Sequence, residues 1–131
     1  MMKILLDTHV LLWAITGSRR LSAKAARIIN NPDNTIYISV ISPWEVEIKH
    51  NKYPDKMSVG SADLLRYCKL AGYSNLSVRP SHIEYLSHLD RGVHADPFDR
   101  MLICQAKAEG MLLLTCDAKI GNYNEDCVCM V

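Results

Sequence analysis

The chain has 131 residues, of which 49% are hydrophobic and 22% are charged, and its net charge is +1. This length suits one folded domain with a single substantial core, so we expect one domain over residues 1–131. No apolar run approaches the roughly 20 residues of a membrane-spanning helix, and the N-terminus lacks a signal-peptide pattern, so we expect a cytoplasmic protein without membrane contact.

Predicted strands and helices alternate along the chain. The strands span residues 3–7, 35–40, 76–78, 111–115 and 127–131. The helices span residues 8–15, 23–29, 43–52, 62–71, 80–89 and 97–108, a loop covers 90–95, and a turn or short helix covers 118–123. This alternation predicts an α/β fold, a three-layer sandwich in which helices flank a short five-stranded, mainly parallel sheet.

Residues 42–45 (Ser-Pro-Trp-Glu) directly follow the second predicted strand. They have the capping-box pattern, in which Ser42 caps a helix and Glu45 bonds back to the cap. This pattern alone would account for Glu45.

The predicted helix from Pro97 opens with two carboxylates. Asp96 suits the cap position and Asp99 lies in the first turn. At about 100° per residue, the direction of Asp99 falls between Ala106 and Ile103, within the apolar sector of the helix. A carboxylate in that sector is costly to bury unless a cation or a hydrogen-bond donor meets it.

Four acids are predicted to meet at one edge of the sheet. Asp7 ends the first strand and Asp117 follows the fourth. Glu45 and Asp99 lie in first helical turns that can begin at the same edge, where open α/β sheets place their sites. Because adjacent carboxylates repel, a divalent cation is expected, and oxygen ligands favour Mg²⁺ or Mn²⁺. The cluster therefore indicates metal-dependent phosphodiester hydrolysis.

Each acid also has a local explanation. The capping box explains Glu45, and Asp117 could cap the turn that follows it. Asp7 could cap a helix that starts near Val10. The chain contains 14 acids, so some will lie at strand ends by chance. The residues alone leave both interpretations open.

Four segments in order carry a family resemblance. They are Ile-Leu-Leu-Asp-Thr-His-Val-Leu-Leu-Trp at 4–13, Ser-Pro-Trp-Glu-Val-Glu-Ile-Lys at 42–49, His-Ala-Asp-Pro-Phe-Asp-Arg-Met-Leu-Ile-Cys-Gln-Ala at 94–106, and Leu-Thr-Cys-Asp at 114–117. Together they closely resemble PIN-domain ribonucleases, especially the VapC-type toxins of toxin–antitoxin pairs. The resemblance covers nearly the whole chain and depends on the order and spacing of all four segments.

The resemblance implies a PIN-like fold and an endoribonuclease that uses Mg²⁺ or Mn²⁺. Asp7 and Asp99 would be metal ligands, and Asp117 would complete the metal site directly or through water. Glu45 would hold a metal or orient the attacking water, and the Thr115 hydroxyl would support the cluster. The same resemblance implies an RNA substrate, a small antitoxin protein as partner, and a homodimer.

Other residues near the predicted site keep two interpretations. Asp96 stays outside the quartet because capping explains it, and His94 could contact RNA or transfer a proton. Lys49 could bind phosphate or pair with Glu45, four residues earlier. Lys52 and Arg100 are candidate phosphate contacts, with solvated surface charge as the alternative for Lys52. Trp13 and Trp44 are interpreted as core or dimer-interface aromatics rather than base-stacking platforms. The five cysteines, at positions 68, 104, 116, 127 and 129, are interpreted as reduced and mostly packing residues.

Three rival classes were compared with this pattern. A phosphoacceptor signalling domain would have paired acids after the first strand, whereas Asp7 stands alone there. A haloacid-dehalogenase-type phosphatase would have Asp-x-Asp, but position 9 is His. The rival that stays open is a non-catalytic PIN-fold module that binds RNA or a partner protein.

Overall fold

The computed structural model describes residues 1–90, 96–123 and 125–131, so His94 and most of the predicted 90–95 loop lie outside the described residues. The strands are β1 (Lys3–Leu6), β2 (Thr35–Ser39), β3 (Ser74–Leu76), β4 (Leu112–Thr115) and β5 (Val128–Met130). The helices are α1 (Thr8–Thr16), α2 (Ala23–Asn30), α3 (Ile41–Lys52), α4 (Ser61–Leu70), α5 (Pro80–Tyr85), α6 (Pro97–Glu109) and α7 (Ala118–Gly121), with a 3₁₀ helix at Leu86–His88.

The five strands form one parallel sheet in the order β3-β2-β1-β4-β5. The chain passes from β1 to β2 and β3 on one side, and then to β4 and β5 on the other. The winding therefore reverses between β1 and β4, and open α/β sheets hold ligands outside the carboxyl ends of strands at such a switch point. The predicted α/β fold with a five-stranded parallel sheet is confirmed.

Alternate side chains of β1 pack on opposite faces of the sheet. Leu5 lies in one core with Leu102 and Ile103 of α6. Ile4 and Leu6 lie in the other core, which α1, α2 and α4 cover. Burial on both faces explains why the central strands are continuously apolar rather than alternating, and it produces the three layers.

The start of α6 agrees with its sequence. Asp96 Oδ1 accepts hydrogen bonds from the backbone amides of Phe98 (2.8 Å) and Asp99 (3.1 Å), with Pro97 in the first turn. At the other end Gly110 adopts the left-handed conformation, with φ of 68°, that ends the helix. The cap therefore fixes where the first turn of α6, and Asp99 within it, lies.

The predicted capping box at residues 42–45 is wrong. Helix α3 begins at Ile41, whose amide donates to Ser39 Oγ (3.1 Å), and the N-cap residue makes no side-chain capping bond. Because the helix starts before Ser42, that residue and Glu45 lie within its first turns. Their side chains bond to α1 instead, and the local explanation for Glu45 is removed.

Two other predicted elements differ from the structure. The third strand lies at Ser74–Leu76 rather than 76–78, since pairing with β2 sets its register and Val40 N donates to Leu76 O (3.0 Å). The helix predicted over 80–89 ends at Tyr85 and continues as the 3₁₀ helix. Neither difference affects the carboxyl edge of β1 and β4.

All five cysteines are free thiols. Cys68 and Cys104 are buried, and burial raises the pKa of each thiol to about 11. These two are packing residues, as predicted, whereas Cys116 is exposed. In the described parts of the chain, no helix combines the length and apolarity that crossing a bilayer requires.

Candidate active site

One cleft lies at the carboxyl edge of β1 and β4 and encloses about 130 Å³. It contains all four acids of the predicted quartet. Asp7 and Asp117 come from the ends of two strands and Asp99 from the first turn of α6, whereas Glu45 lies in the second turn of α3 rather than the predicted first, because α3 begins at Ile41. The cleft is lined by Asp7, Thr8, His9, Glu45, Lys49, Asp96, Asp99, Asp117 and Lys119.

Asp7 is the most enclosed of these acids, with 3% of its surface exposed. Its Oδ1 accepts a hydrogen bond from Val10 N (2.8 Å), which caps α1, and its Oδ2 accepts one from the Thr115 hydroxyl. Burial raises the pKa of Asp7, and the bonds from Thr115 and Val10 offset part of that rise. The nearby charge of His9 lowers the same pKa and that of Asp117 raises it, so Asp7 lies within the field of a second acid.

Thr115 joins the ends of the two central strands. Its hydroxyl, at the end of β4, donates to Asp7 beyond β1 and accepts from the amide of Asp117 (3.0 Å). Asp117 Oδ1 in turn accepts from Lys119 N (2.9 Å) and caps α7. The expected support of the cluster by the Thr115 hydroxyl is therefore present, and it fixes Asp7 and the Asp117 backbone together.

Glu45 is held by contacts on both carboxylate oxygens. Oε1 accepts from Thr8 Oγ1 (2.8 Å) and Oε2 accepts from Lys49 Nζ (2.7 Å), which confirms the Lys49–Glu45 pairing. Thr8 has one hydroxyl proton and gives it to the carboxylate, so in the 3.0 Å contact with Ser42 the Ser42 hydroxyl is the donor. A chain of hydroxyls from Ser42 through Thr8 therefore orients Glu45.

Asp96 and Asp99 divide two tasks between them. One oxygen of Asp96 accepts both capping amides, including that of Asp99 itself. Asp99 is half-buried in the first turn of α6 and lines the cleft. Asp96 also borders the cleft, so its charge contributes to the field there even though its bonds are those of a cap.

The chemistry of the lining fits a hard divalent cation. All the acidic donors are carboxylate oxygens, which suit Mg²⁺ or Mn²⁺. Across residues 1–90, 96–123 and 125–131, no three His, Cys, Asp or Glu side chains form a ready-made metal-binding group. Mg²⁺ usually takes one or two carboxylates and keeps several waters, so an open cleft with several acids suits it better than a closed protein cage.

Three residues that line the cleft, and Ser42 which bonds to one of them, were not among the candidates from sequence. Thr8 and His9 follow Asp7 directly, Ser42 was assigned to a cap, and Lys119 follows Asp117 by two positions. For three of them a usable signal was their closeness to a predicted acid. The bond from Ser42 to Thr8 joins residues 34 positions apart and has no local signal.

Lys52 and Arg100 do not line this cleft, although both were candidate phosphate contacts. Lys52 Nζ lies 5.7 Å from the ring centre of Tyr53 at the far end of α3. Arg100 donates to Asp90 O (2.9 Å) and to the Tyr123 hydroxyl (3.2 Å). Of these candidate cations, Lys49 lines the cleft, and it is bound to Glu45.

An apolar groove lies beside the cleft, between α3 and α6. It encloses about 360 Å³ and is lined by Ile41, Trp44, Leu86, Pro97, Phe98, Arg100 and Met101. Trp44 is 59% exposed and meets the Phe98 ring edge-on at 5.1 Å, so Trp44 is not a core residue. Trp13 is half-buried on α1. Residues of α3 and α6 line both the groove and the cleft.

Solved structures with the same fold include several toxin–antitoxin complexes. A chain of VapBC2 from Rickettsia felis, bound to a promoter DNA fragment, is 20% identical, with a TM-score of 0.70 over 99% of this chain and 98% of that one. A chain of VapBC-1 from nontypeable Haemophilus influenzae is 17% identical, with a TM-score of 0.67 over 94% and 92%. A chain of a toxin–antitoxin complex from Klebsiella pneumoniae is 20% identical, with a TM-score of 0.66 over 97% and 96%. At sequence identities this low, the structural similarity shows a shared fold alone.

No curated protein sequence matches the chain. The family model described as PIN domain matches residues 4–125. That span runs from β1 to the residues before β5 and includes every acid of the cleft. The chain belongs to the PIN domain family.

Proposed function

We propose that this chain is a metal-dependent endoribonuclease that hydrolyses RNA phosphodiester bonds as the toxin of a toxin–antitoxin pair. One observation carries the proposal: Asp7, Glu45, Asp99 and Asp117 line a single cleft at the switch point of a PIN-domain sheet. The toxin role is supported by the structural neighbours, which are chains of toxin–antitoxin complexes. We further propose that residues 1–131 form a single domain.

Asp7, Asp99 and Asp117 are the residues that would hold Mg²⁺ or Mn²⁺, and Glu45 would either join them or orient the attacking water. The bound cation would supply positive charge to the phosphoryl oxygens and make a nearby water more acidic. Asp7 suits a ligand role because two hydrogen bonds fix its carboxylate while each oxygen keeps a free lone pair. Asp99 suits it because the Asp96 cap sets the start of its helical turn.

Glu45 has a separate task in this arrangement. Thr8 and Lys49 each occupy one lone pair of its two oxygens and hold the carboxylate at the cleft. A carboxylate fixed in this way can accept a proton from a water placed beside the phosphodiester, once the geometry of that water is set. Lys49 and Thr8 are then positioning residues that act through Glu45.

The sharpest test compares two neighbouring aspartates on α6. Asp99→Asn should lower Mg²⁺- or Mn²⁺-dependent cleavage of RNA by roughly 100-fold or more, because an amide is a poor ligand in place of a carboxylate. Asp96→Asn is the matched control, since asparagine caps a helix as well as aspartate does. It removes the same charge from the same cleft, yet it should leave most of the activity and the folding stability in place.

The nuclease assignment is contradicted if a correctly folded double variant, Asp7→Asn with Asp99→Asn, cleaves RNA as fast as the wild-type protein. In cells, the double variant should also relieve toxicity. The competing possibility is a non-catalytic PIN-fold module. It is favoured if the purified wild-type protein binds RNA but never cleaves it with Mn²⁺ present.

The proposed partners are a small antitoxin protein and a second copy of this chain. The apolar groove next to the cleft, with Trp44 59% exposed, offers surface on which a protein partner can pack. The measurement is the mass in solution of the chain alone and after co-expression with its neighbouring open reading frame. A monomer in both samples contradicts both partner proposals.

A further inference from the structure

The acidic cleft contains three basic side chains: His9, Lys49 and Lys119. If the proposed function holds, an RNA phosphodiester must approach a surface that carries five carboxylates. The proposed divalent cation would supply part of the opposite charge, and the three basic residues differ in whether they can supply more. Lys49 is paired with an acid of the cleft, and His9 contacts an aromatic ring of α1.

Lys49 is committed to Glu45, with its ammonium 2.7 Å from Oε2. His9 lies one residue beyond α1's first position, its charge acts on Asp7, and its ring meets Trp13 edge-on at 6.0 Å. A Lys49 ammonium that left its carboxylate for a phosphate would abandon a buried acid, which is costly. Lys49 is therefore a holder of Glu45 rather than a group available to the substrate.

Lys119 differs from Lys49 in its pairing. Within residues 1–90, 96–123 and 125–131, its ammonium forms no ion pair with any carboxylate. Its side chain is exposed and borders the cleft. Among the described residues, Lys119 is thus a cation at the edge of the acidic cleft without a carboxylate partner.

The backbone of Lys119 is nevertheless fixed. Its amide donates to Asp117 Oδ1 (2.9 Å), and the amides of Ile120 and Gly121 donate to Asp117 O (3.1 Å each). Ile120, the next residue, is 1% exposed in the core. The residue that offers a carboxylate to the cleft therefore also sets the position from which the Lys119 chain extends.

We propose that Lys119 binds a non-bridging phosphate oxygen of the RNA substrate at the cleft. The proposal rests on the proposed nuclease function and adds a substrate contact to it. Lys119 adds positive charge to that of the proposed metal ion, and among the described residues it has no ion pair to break when it binds phosphate. Lys49, by contrast, keeps Glu45 in place.

The first measurement is RNA binding in EDTA, where no divalent ion supports cleavage. The probe is a labelled single-stranded RNA pool of random sequence, and affinity is measured against salt concentration. Loss of one phosphate contact in Lys119→Ala should reduce the slope of log K against log salt by about 0.7. Lys119→Arg should keep the slope. Lys52→Ala is the control, since Lys52 is an exposed lysine outside the cleft, and it should also leave the slope unchanged.

The second measurement is cleavage of the same pool with Mn²⁺. Lys119→Ala should lower kcat/KM roughly tenfold, mainly through KM, and Lys119→Arg should restore most of it. Because the exposed Lys119 side chain forms no ion pair within the described parts of the chain, Lys119→Ala should not change the thermal melting midpoint. If wild-type protein never cleaves, the nuclease proposal fails while the binding measurement still decides on Lys119. If Lys119→Ala matches wild type in slope, or Lys52→Ala lowers the slope as much, the Lys119 proposal is overturned.

Discussion

Thr115 is the residue whose replacement tests most directly how the cleft is built. Its side chain is fully buried, it donates to Asp7 and it accepts from the amide of Asp117. Thr115→Val keeps nearly the same shape and removes both bonds. Thr115→Ser keeps both bonds and removes one methyl group.

The expected loss of stability follows from these two bonds. A hydrogen bond to a charged buried group contributes about 2 kcal/mol net, and the bond to the half-buried Asp117 amide about 1 kcal/mol. Thr115→Val should therefore lower the free energy of unfolding by about 3 kcal/mol at neutral pH. Thr115→Ser should lower it by only about 1 kcal/mol, the cost of the missing methyl group.

The difference in the free energy of unfolding between wild type and Thr115→Val should depend on pH, because the Thr115 bond lowers the pKa of Asp7, which burial has raised. Without this bond the pKa of Asp7 rises further in the folded protein. The bond to the ionised carboxylate therefore stabilises wild type above that pKa, and its contribution is lost as the pH falls and Asp7 takes up a proton. The gap between wild type and Thr115→Val should thus narrow on acidification.

Urea unfolding in the presence of EDTA measures these values, with the slope m used to check that the unfolded states match. Cleavage should fall roughly 10- to 100-fold in Thr115→Val, as for partners that orient metal ligands. A Thr115→Val protein within about 0.5 kcal/mol of wild type at neutral pH, with equal cleavage, would show that Thr115 does not hold the acids together. The same conclusion would follow if the difference in the free energy of unfolding between wild type and Thr115→Val increased on acidification.

Two further predictions separate the site from the scaffold. Glu45→Gln should cost less than about 1 kcal/mol in a urea titration, because glutamine can still accept the bond from Thr8, and Lys49, whose side chain is 40% exposed, is solvated without its acid. It should nevertheless reduce RNA cleavage at least tenfold. Unchanged cleavage contradicts the role given to Glu45. His82 is fully buried and forms hydrogen bonds with Glu109 (2.7 Å) and the Arg79 amide (3.0 Å) at the opposite edge of the sheet. His82→Ala should therefore lower the free energy of unfolding by about 3 kcal/mol and leave the cleavage rate per folded molecule unchanged. A large loss of specific activity would contradict the separation of site and scaffold.

The fold and the position of the acids could be predicted because both follow from local patterns. Continuous apolar runs mark strands buried on both faces, and alternation with helices implies a parallel sheet. In such a sheet the carboxyl ends of all the strands lie at the same edge. Asp7 and Asp117 follow two strands directly, so their neighbourhood follows from sequence order once the sheet is assumed.

The supporting hydroxyls could not be predicted in the same way. Ser42 and Glu45 satisfy the capping-box spacing, and nothing local shows that α3 starts at Ile41. Their actual partner, Thr8, lies on a different helix and is brought close only by the packing of α1 against α3. A short-range pattern and a long-range contact here use the same residues, and only tertiary structure distinguishes them.

The structure also changes the argument that the acids need a cation to coexist. Asp7, Asp96 and Asp117 are the N-caps of α1, α6 and α7, each accepting backbone amides through Oδ1. Three helix N-termini therefore converge on the cleft, and their amides and dipoles offset part of the repulsion among the carboxylates. Capping and metal binding are consequently not alternatives for Asp7 and Asp117, since one oxygen can serve the helix while lone pairs remain for a ligand. Only on α6 are the two tasks given to different residues, and for this reason Asp99→Asn should remove most of the cleavage activity whereas Asp96→Asn should leave most of it in place.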